Sequence, residues 1–463
     1  MKKSSRVGLC ILLGVTALAS FNLYAQKRPK VLAEKQWAES CVQEHPEILW
    51  LANAHVRKTE EGEASLKGSY SEQLFGQKFI EFDRTLTTLH CLRLILDGSN
   101  RAYQDFTADQ PKEIRLSKKS FENLHIQGQK LLKSRWGGMS ELQMAQAMET
   151  ALVLGDMGKS EQPRELFKSY GPRAPDHDDF YGEVMLILSK HPQLSPSFDK
   201  LPQEAKKLLV KVANLAHYGH ITHLEGGTSM FDKLYSSLVP ATDPTALSFD
   251  LFVHMCDVAG ALGHVKNSSL VYTEPVHMAM QAMNDAVRIL SDPKKTSIDA
   301  YNAYLKTRAG WLGLDPTHEI DRVLARIGAM LRLVTPEEGA ILKQAVASLS
   351  PLDREKILVG LDIQKGDWLN RTPTYVPAVL VNLLNNPQMG ETKEERLSQV
   401  IALGVPFVCR ALELHKMQLS SHEADPTIPL NFNKIAAVAK SAPRLLTGSC
   451  TIDHEGNVHM MAP

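Results

Sequence analysis

Histidines and carboxylates gather in one part of the sequence. Eight of the 17 histidines lie between His177 and His277, a window of 101 residues in which an even distribution would give about four. Six of the eight fall in three groups, PDHDDFYGE, HYGHITHLEGG and FVHMCDVAGALGH, and each group combines histidine with a carboxylate. Imidazole and carboxylate together suit borderline divalent metal ions. The sequence therefore predicts a metal site whose ligands come from several segments.

A charged motif, GDMGK at 155–159, follows an apolar helix pattern at 140–154, for which Ser140 is the predicted N-cap. Gly158 fits an ordinary helix C-terminus, where glycine often adopts a positive φ. The alternative is that Asp156 ligates a metal ion and Lys159 contacts a phosphate. Lys159 alone is more typical of a solvated charge, so the choice depends on the residues that lie nearby.

Helical spacing places several of the other side chains on common faces. The three histidines between 217 and 223 are three residues apart, so neighbouring members share a helix face. Asp257 lies in an otherwise apolar helix, where a buried carboxylate requires a partner. A four-helix bundle would bring these segments around one point. The predicted metal ligands are His125, Asp156, His177, His220, His223 and Asp257.

The order of these motifs resembles that of the HD-domain superfamily of metal-dependent phosphohydrolases. In that family the ligands run from a histidine to a His-Asp pair at a helix end, often HDxGK, then to further histidines and a final aspartate. GDMGK resembles the second motif, with His125 as the first ligand and Asp257 in HMCDVAG as the last. The intermediate histidines are matched by His177, His220 and His223. Gly155 departs from the pattern, because it stands where the family has the histidine of the pair.

The resemblance covers roughly residues 115–290. It implies an all-helical domain that hydrolyses a phosphoester with a divalent ion (Mn, Fe, Zn or Mg) and has a small phosphorylated substrate as its partner. Lys159 would then neutralise the phosphate, and Glu225 would carry a proton. Two alternatives remain open: a non-catalytic helical binding or scaffold protein with a degenerate HD site, and an HD-fold iron-dependent oxygenase.

Charge and the N-terminus indicate an exported protein that does not bind nucleic acid. The chain has 52 basic and 52 acidic residues, so it lacks the positive surplus of a polyanion-binding protein. A basic start followed by the apolar run VGLCILLGVTALASF and Ala25 predicts a signal peptide at 1–25. Its removal leaves 49 basic residues against 52 acidic ones, a net charge of −3. We expect a periplasmic or secreted protein with no membrane association after cleavage.

The remaining cysteines do not indicate a disulfide scaffold. After signal cleavage five remain, an odd number without paired spacing. Cys41 with Cys91 is a bridge suggested by position alone.

The periodicity of apolar residues predicts a mainly α fold, an HD-like helical bundle with small β-hairpin additions and a C-terminal helical region. Strands are predicted in 76–96, which is rich in β-branched and aromatic residues, and in the tail CTIDHEGNVHMM. The predicted regions are 26–114 (helical and β), 115–332 (HD-like domain) and 333–463 (C-terminal helices).

Overall fold

The structure is a computed structural model that describes residues 31–52, 69–174, 177–215, 218–364 and 372–461. Within those residues the fold is mainly α-helical, as predicted, with a single two-stranded sheet. The predicted signal peptide and His217 lie outside the described residues.

The chain divides into two compact units, and each is discontinuous in sequence. The first comprises residues 1–210 and 255–273, and the second comprises 211–254 and 274–463. These limits differ from the predicted boundaries at 114/115 and 332/333. Asp156 and Asp257 therefore belong to the same unit although the chain between them enters the other one.

The helices up to residue 212 belong to the first unit, except for the last two residues of α10. They are α1 (Val31–Glu44), α2 (Tyr70–Phe75), α3 (Ile80–Asp97), α4 (Asn100–Phe106), α5 (Lys118–Lys133), α6 (Glu141–Gly155), α7 (Glu161–Phe167), α8 (His177–Leu188), α9 (Pro196–Lys200) and α10 (Gln203–Val212). Short 3-10 helices lie between them at Pro46–Leu51, Lys112–Ile114, Trp136–Gly138, Met157–Lys159, Lys168–Tyr170 and Pro192–Leu194.

The later helices belong to the second unit, except that the last turns of α14 lie in the first. They are α11 (Tyr218–Thr222), α12 (Ser229–Ser237), α13 (Val239–Thr242), α14 (Pro244–Gly260), α15 (Glu274–Arg288), α16 (Ser297–Trp311), α17 (Glu319–Met330), α18 (Pro336–Ala347), α19 (Pro351–Leu361), α20 (Val376–Asn385), α21 (Lys393–Gln399), α22 (Val405–Ser420) and α23 (Asn433–Ser441). A π-helical turn, Val400–Gly404, joins α21 to α22, and 3-10 helices lie at Ile289–Ser291, Pro387–Met389 and Pro443–Thr447.

The prediction of β-structure at 76–96 is wrong, because most of that segment is the long helix α3. Its apolar residues recur three and four positions apart, and Phe82, Leu86 and Leu89 are fully buried. Burial of this face outweighs the β-preference of the threonines between them. Gly98, with φ of 65°, ends the helix in the left-handed conformation.

The predicted hairpin in the tail is confirmed. Strand β1 (Cys450–Ile452) pairs antiparallel with β2 (Val458–Met460), and Cys450 lies opposite Met460. The turn is held by Asp453, whose carboxylate accepts hydrogen bonds from the backbone N–H of Glu455 at 3.0 Å and of Asn457 at 2.9 Å. Such self-bonding is why Asp favours turns.

Two further observations concern the core. All five cysteines among the described residues are free, so the suggested Cys41–Cys91 bridge is not present.

The helical stretch Lys393–Ser420 is, among the described residues, the one long and apolar enough to cross a membrane. Since 61% of its most apolar window is buried inside the protein, it also has the character of a core helix.

Candidate functional site

Helix α6 positions the GDMGK motif in the first unit. Ser140 caps its N-terminus through a capping box with Gln143, which confirms Ser140 as the predicted N-cap. The helix ends at Gly155, and Asp156 is its C-terminal cap residue. The chain then makes a 3-10 turn over Met157–Lys159. This turn brings the Lys159 ammonium Nζ to 2.9 Å from Asp156 Oδ1.

Helix α3 adds two charged residues that the sequence analysis missed. Glu81 is buried, and its Oε2 lies 3.3 Å from Lys159 Nζ. Its other oxygen, Oε1, accepts a hydrogen bond at 2.8 Å from Arg84 Nη1. Arg84 Nε also donates to Nδ1 of the buried His264 at 3.3 Å. The signal that was available is the helical spacing of Glu81 and Arg84, which puts residues three apart on one face.

Asp257, on α14, interacts electrostatically with Asp156, Lys159 and Glu81. Its pKa is raised from 3.8 to about 7, mainly by burial and next by the negative charge of Asp156. Asp178 and Glu81 act in the same direction, whereas the positive charge of Lys159 lowers it. Asp156 and Asp257 therefore lie close enough for their charges to interact, although they are 101 positions apart in sequence.

The cluster carries more negative than positive charge. Its four carboxylates are Glu81, Asp156, Asp178 and Asp257, and its cations are Lys159 and Arg84. With all four carboxylates ionised and the histidines neutral, two negative charges are in excess. Burial raises the pKa of Asp156, but the charges of Lys159 and His177 outweigh this and lower it overall. Burial lowers the pKa of Lys159, but the negative charges of the surrounding carboxylates more than reverse this effect and raise it overall.

Gly158 is required for a close approach of backbone, not for a left-handed turn. Its φ is not among the positive values that other glycines of the structure adopt. A Cβ atom at Gly158 would lie 2.8 Å from the carbonyl oxygen of His177, at the start of α8. In contrast, a Cβ at Gly155 would meet no atom within 4 Å. Gly158 thus lets His177 approach the motif, whereas Gly155 is not constrained by space.

The two predicted histidine ligands of the first unit differ in their surroundings. His177 Nε2 lies 3.2 Å from Asp178 Oδ1, and its charge acts on Asp156. His125, on α5, has Nδ1 hydrogen-bonded to the backbone oxygen of Ile95 at 2.9 Å. His177 is therefore in the cluster, whereas the bond recorded for His125 is to the backbone of α3.

Three predicted residues belong to the second unit. The backbone of His220 lies in α11, and its side chain is outside the described part of the structure. His223 follows that helix and is half-buried. Glu225 is buried, and its Oε1 accepts a hydrogen bond from the Val376 N–H at 2.7 Å. That bond occupies the carboxylate predicted to carry a proton.

One group of three ligand atoms lies within 4.8 Å in the described residues, and it is not the predicted one. It consists of Glu44, His45 and Glu149. Arg93 already forms ion pairs with both of its carboxylates, with Nε at 2.9 Å from Glu149 and Nη2 at 3.1 Å from Glu44. Burial raises the pKa of Glu149, but the opposing effects are larger, and the net pKa falls from 4.5 to about 2. The largest of these opposing effects is the positive charge of Arg93. These contacts describe an ion-pair network around an arginine.

Comparison with known proteins places the chain in a family. Residues 42–442 match a family model described as a family of unknown function (DUF6829). The chain belongs to this family. The family match includes every predicted site residue and the added residues Glu81 and Arg84. No curated protein and no solved structure matches the chain.

Proposed function

We propose that the first unit of this family member is a divalent-cation-dependent phosphoester hydrolase related to HD-domain proteins. The observation that carries the proposal is the electrostatic interaction of Asp156 with Asp257 in a cluster that has two excess negative charges when its carboxylates are ionised. Carboxylates that lie close together in space repel one another, and this repulsion raises their pKa values unless a cation is present. A divalent ion would balance the excess.

The chemistry of the donor atoms fits such an ion. Carboxylate oxygens suit Mg²⁺ and Mn²⁺, and an imidazole such as that of His177 extends the set to Fe and Zn. Asp156 and Asp257 would hold the ion, with His177 beside Asp156. When bound, the ion would lower the pKa of a water molecule enough for it to attack a phosphoester at neutral pH. His125, in the first unit, stays a prediction as a further ligand, whereas His220 and His223 belong to the second unit and are not part of the proposed site.

The protein's own side chains would supply the remaining functions. Lys159 and Arg84 are the cations of the cluster, and they would neutralise the phosphate oxygens. Where the carboxylates alone hold the ion, His177, 3.2 Å from Asp178, is the group we propose for proton transfer. It takes over the role predicted for Glu225, since the Glu225 carboxylate accepts a bond from backbone N–H in the second unit.

The test uses the full chain purified without chelators. Its metal content is measured, Mn²⁺ binding is titrated by calorimetry, and hydrolysis of bis(p-nitrophenyl) phosphate is followed. Asp156→Asn and Asp257→Asn should abolish Mn²⁺ binding and hydrolysis together. The matched control is Asp250→Asn, because Asp250 lies on the same helix and also has a pKa raised to about 7 by burial, but bonds to Tyr218 in the second unit. His318→Ala, at an exposed position, is a second control.

A wild-type protein that folds and binds no divalent ion would refute the proposal. The ion pairs of Lys159 with Asp156 and Glu81 favour a second candidate in that case, a non-catalytic binding protein whose acidic residues are neutralised internally. Export is a separate proposal, and N-terminal sequencing of the secreted protein should then begin near Gln26.

A further inference from the structure

The ammonium group of Lys159 lies between carboxylates of the proposed cation site. Its Nζ is 2.9 Å from Asp156 Oδ1 and 3.3 Å from Glu81 Oε2, and the negative charge of Asp257 also acts on it. Lys159 thus neutralises part of the charge that a divalent ion would neutralise. The two cations compete for the same carboxylate.

Competition follows from electrostatics at short range. A divalent ion on Asp156 would bring two positive charges beside the ammonium that already bonds to this carboxylate. Two positive charges that contact the same carboxylate in a partly buried site repel each other strongly, because little water screens them. Both cations cannot therefore keep full contact with Asp156.

We infer that Lys159 is the resident counter-cation of this site and that a divalent ion displaces its ammonium from Asp156, leaving it on Glu81. The inference rests on the proposed function, since it concerns the regulation of the same site. It explains how part of the negative charge of the acidic cluster is neutralised when no ion is bound.

Glu81 is suited to receive the displaced ammonium. Its side chain is buried, and Arg84 fixes one oxygen at 2.8 Å while the other faces Lys159 at 3.3 Å. Glu81 is thus a positioning residue that keeps Lys159 and Arg84 next to each other. Loading of the ion would then leave both cations directed at an anionic substrate.

The experiment replaces Lys159 by methionine in the full chain, which removes the charge and keeps an unbranched side chain. The matched control is Lys168→Met, because Lys168 also follows its partner carboxylate by three residues, at 3.1 Å from Glu165 Oε2. For each protein, Mn²⁺ affinity is measured by calorimetry, and Tm is measured with and without Mn²⁺. Lys159→Gln serves as a second variant in case the methionine variant does not fold.

Without ions, Lys159→Met should have a lower Tm than the wild type, because its carboxylates lose their counter-charge. Its Mn²⁺ affinity should be higher by on the order of tenfold, since a competing charge has been removed. Its Tm should therefore rise more on addition of Mn²⁺. Lys168→Met should behave as the wild type in all three measurements.

Unchanged or weaker Mn²⁺ binding by Lys159→Met would overturn the inference, and so would an absence of binding in every variant. The hydrolysis assay separates this result from the proposed function. If Lys159→Met binds Mn²⁺ more tightly while the wild type hydrolyses no phosphoester, counter-cation exchange stands and catalysis fails.

Discussion

The glycines of GDMGK provide a matched pair of substitutions with opposite expected effects. In Gly158→Ala the new methyl group would lie 2.8 Å from the His177 carbonyl oxygen, 2.9 Å from its Cα and 3.0 Å from its Cβ. The first two of these atoms belong to the backbone, so a side-chain rotation cannot relieve the contact and the start of α8 must move. Overpacking of this kind costs about 1–3 kcal/mol.

Gly155→Ala is the internal reference, because its methyl group meets no atom within 4 Å. Gly155 is the last residue of α6, and alanine in a helix is more favourable than glycine by about 0.5–1 kcal/mol. The unfolding free energies of the two variants should therefore differ by about 2–4 kcal/mol, with Gly155→Ala the more stable.

Urea denaturation followed by circular dichroism measures this difference from the transition midpoints. Gly158→Ala should also bind Mn²⁺ more weakly, because His177 is displaced with its backbone. Equal midpoints for the two variants would refute the close approach of α8 to the motif, and with it the position of His177 in the cluster.

Three further predictions concern ion binding and pH. Gly155→His should fold as the wild type and bind Mn²⁺ on the order of tenfold more tightly by calorimetry, because open space at 155 accepts the missing histidine of the HD pair; unchanged affinity would argue against an HD-like arrangement. Asp257 has a pKa raised from 3.8 to about 7, so its ionised form destabilises the fold above pH 7 and this cost is relieved as pH falls. In urea titrations the wild type should accordingly gain on the order of 3 kcal/mol relative to Asp257→Asn between pH 8 and pH 5, and a pH-independent difference would contradict the raised pKa. Glu149 has a pKa lowered from 4.5 to about 2, so its ionised form stabilises the fold above about pH 4.5. Glu149→Gln should then cost about 3 kcal/mol at pH 7, a loss that disappears as pH falls towards 2; an equal loss at both pH values would show a packing effect instead.

The sequence was informative where local rules decide the structure. The Ser140 cap, the end of α6 at Gly155 and the hairpin at 450–460 follow from short patterns, and the structure has all three. The charged cluster was predicted only in part. Asp156, Lys159, His177 and Asp257 were named, because a motif order could be recognised without knowing the packing.

Glu81 and Arg84 were missed because composition favoured a strand at 76–96. In a strand, residues three apart point to opposite faces, whereas on helix α3 they share one and form an ion pair. The surroundings of His125 and Glu225 could not be predicted either. Their partners are backbone groups of Ile95 and Val376. Nearly every residue type has the same backbone groups, so the sequence does not indicate which of them a side chain will bond.

The discontinuity of the first unit affects how it can form during synthesis. Residues 1–210 emerge from the ribosome first, but the unit also requires 255–273, which carry Asp257. The second unit contributes the 44 residues between them before its own larger part has been made. Because domains otherwise tend to fold as they emerge, the N-terminal unit must wait for residue 273 with an incomplete core. A nascent chain halted before that point exposes the surfaces on which chaperones act.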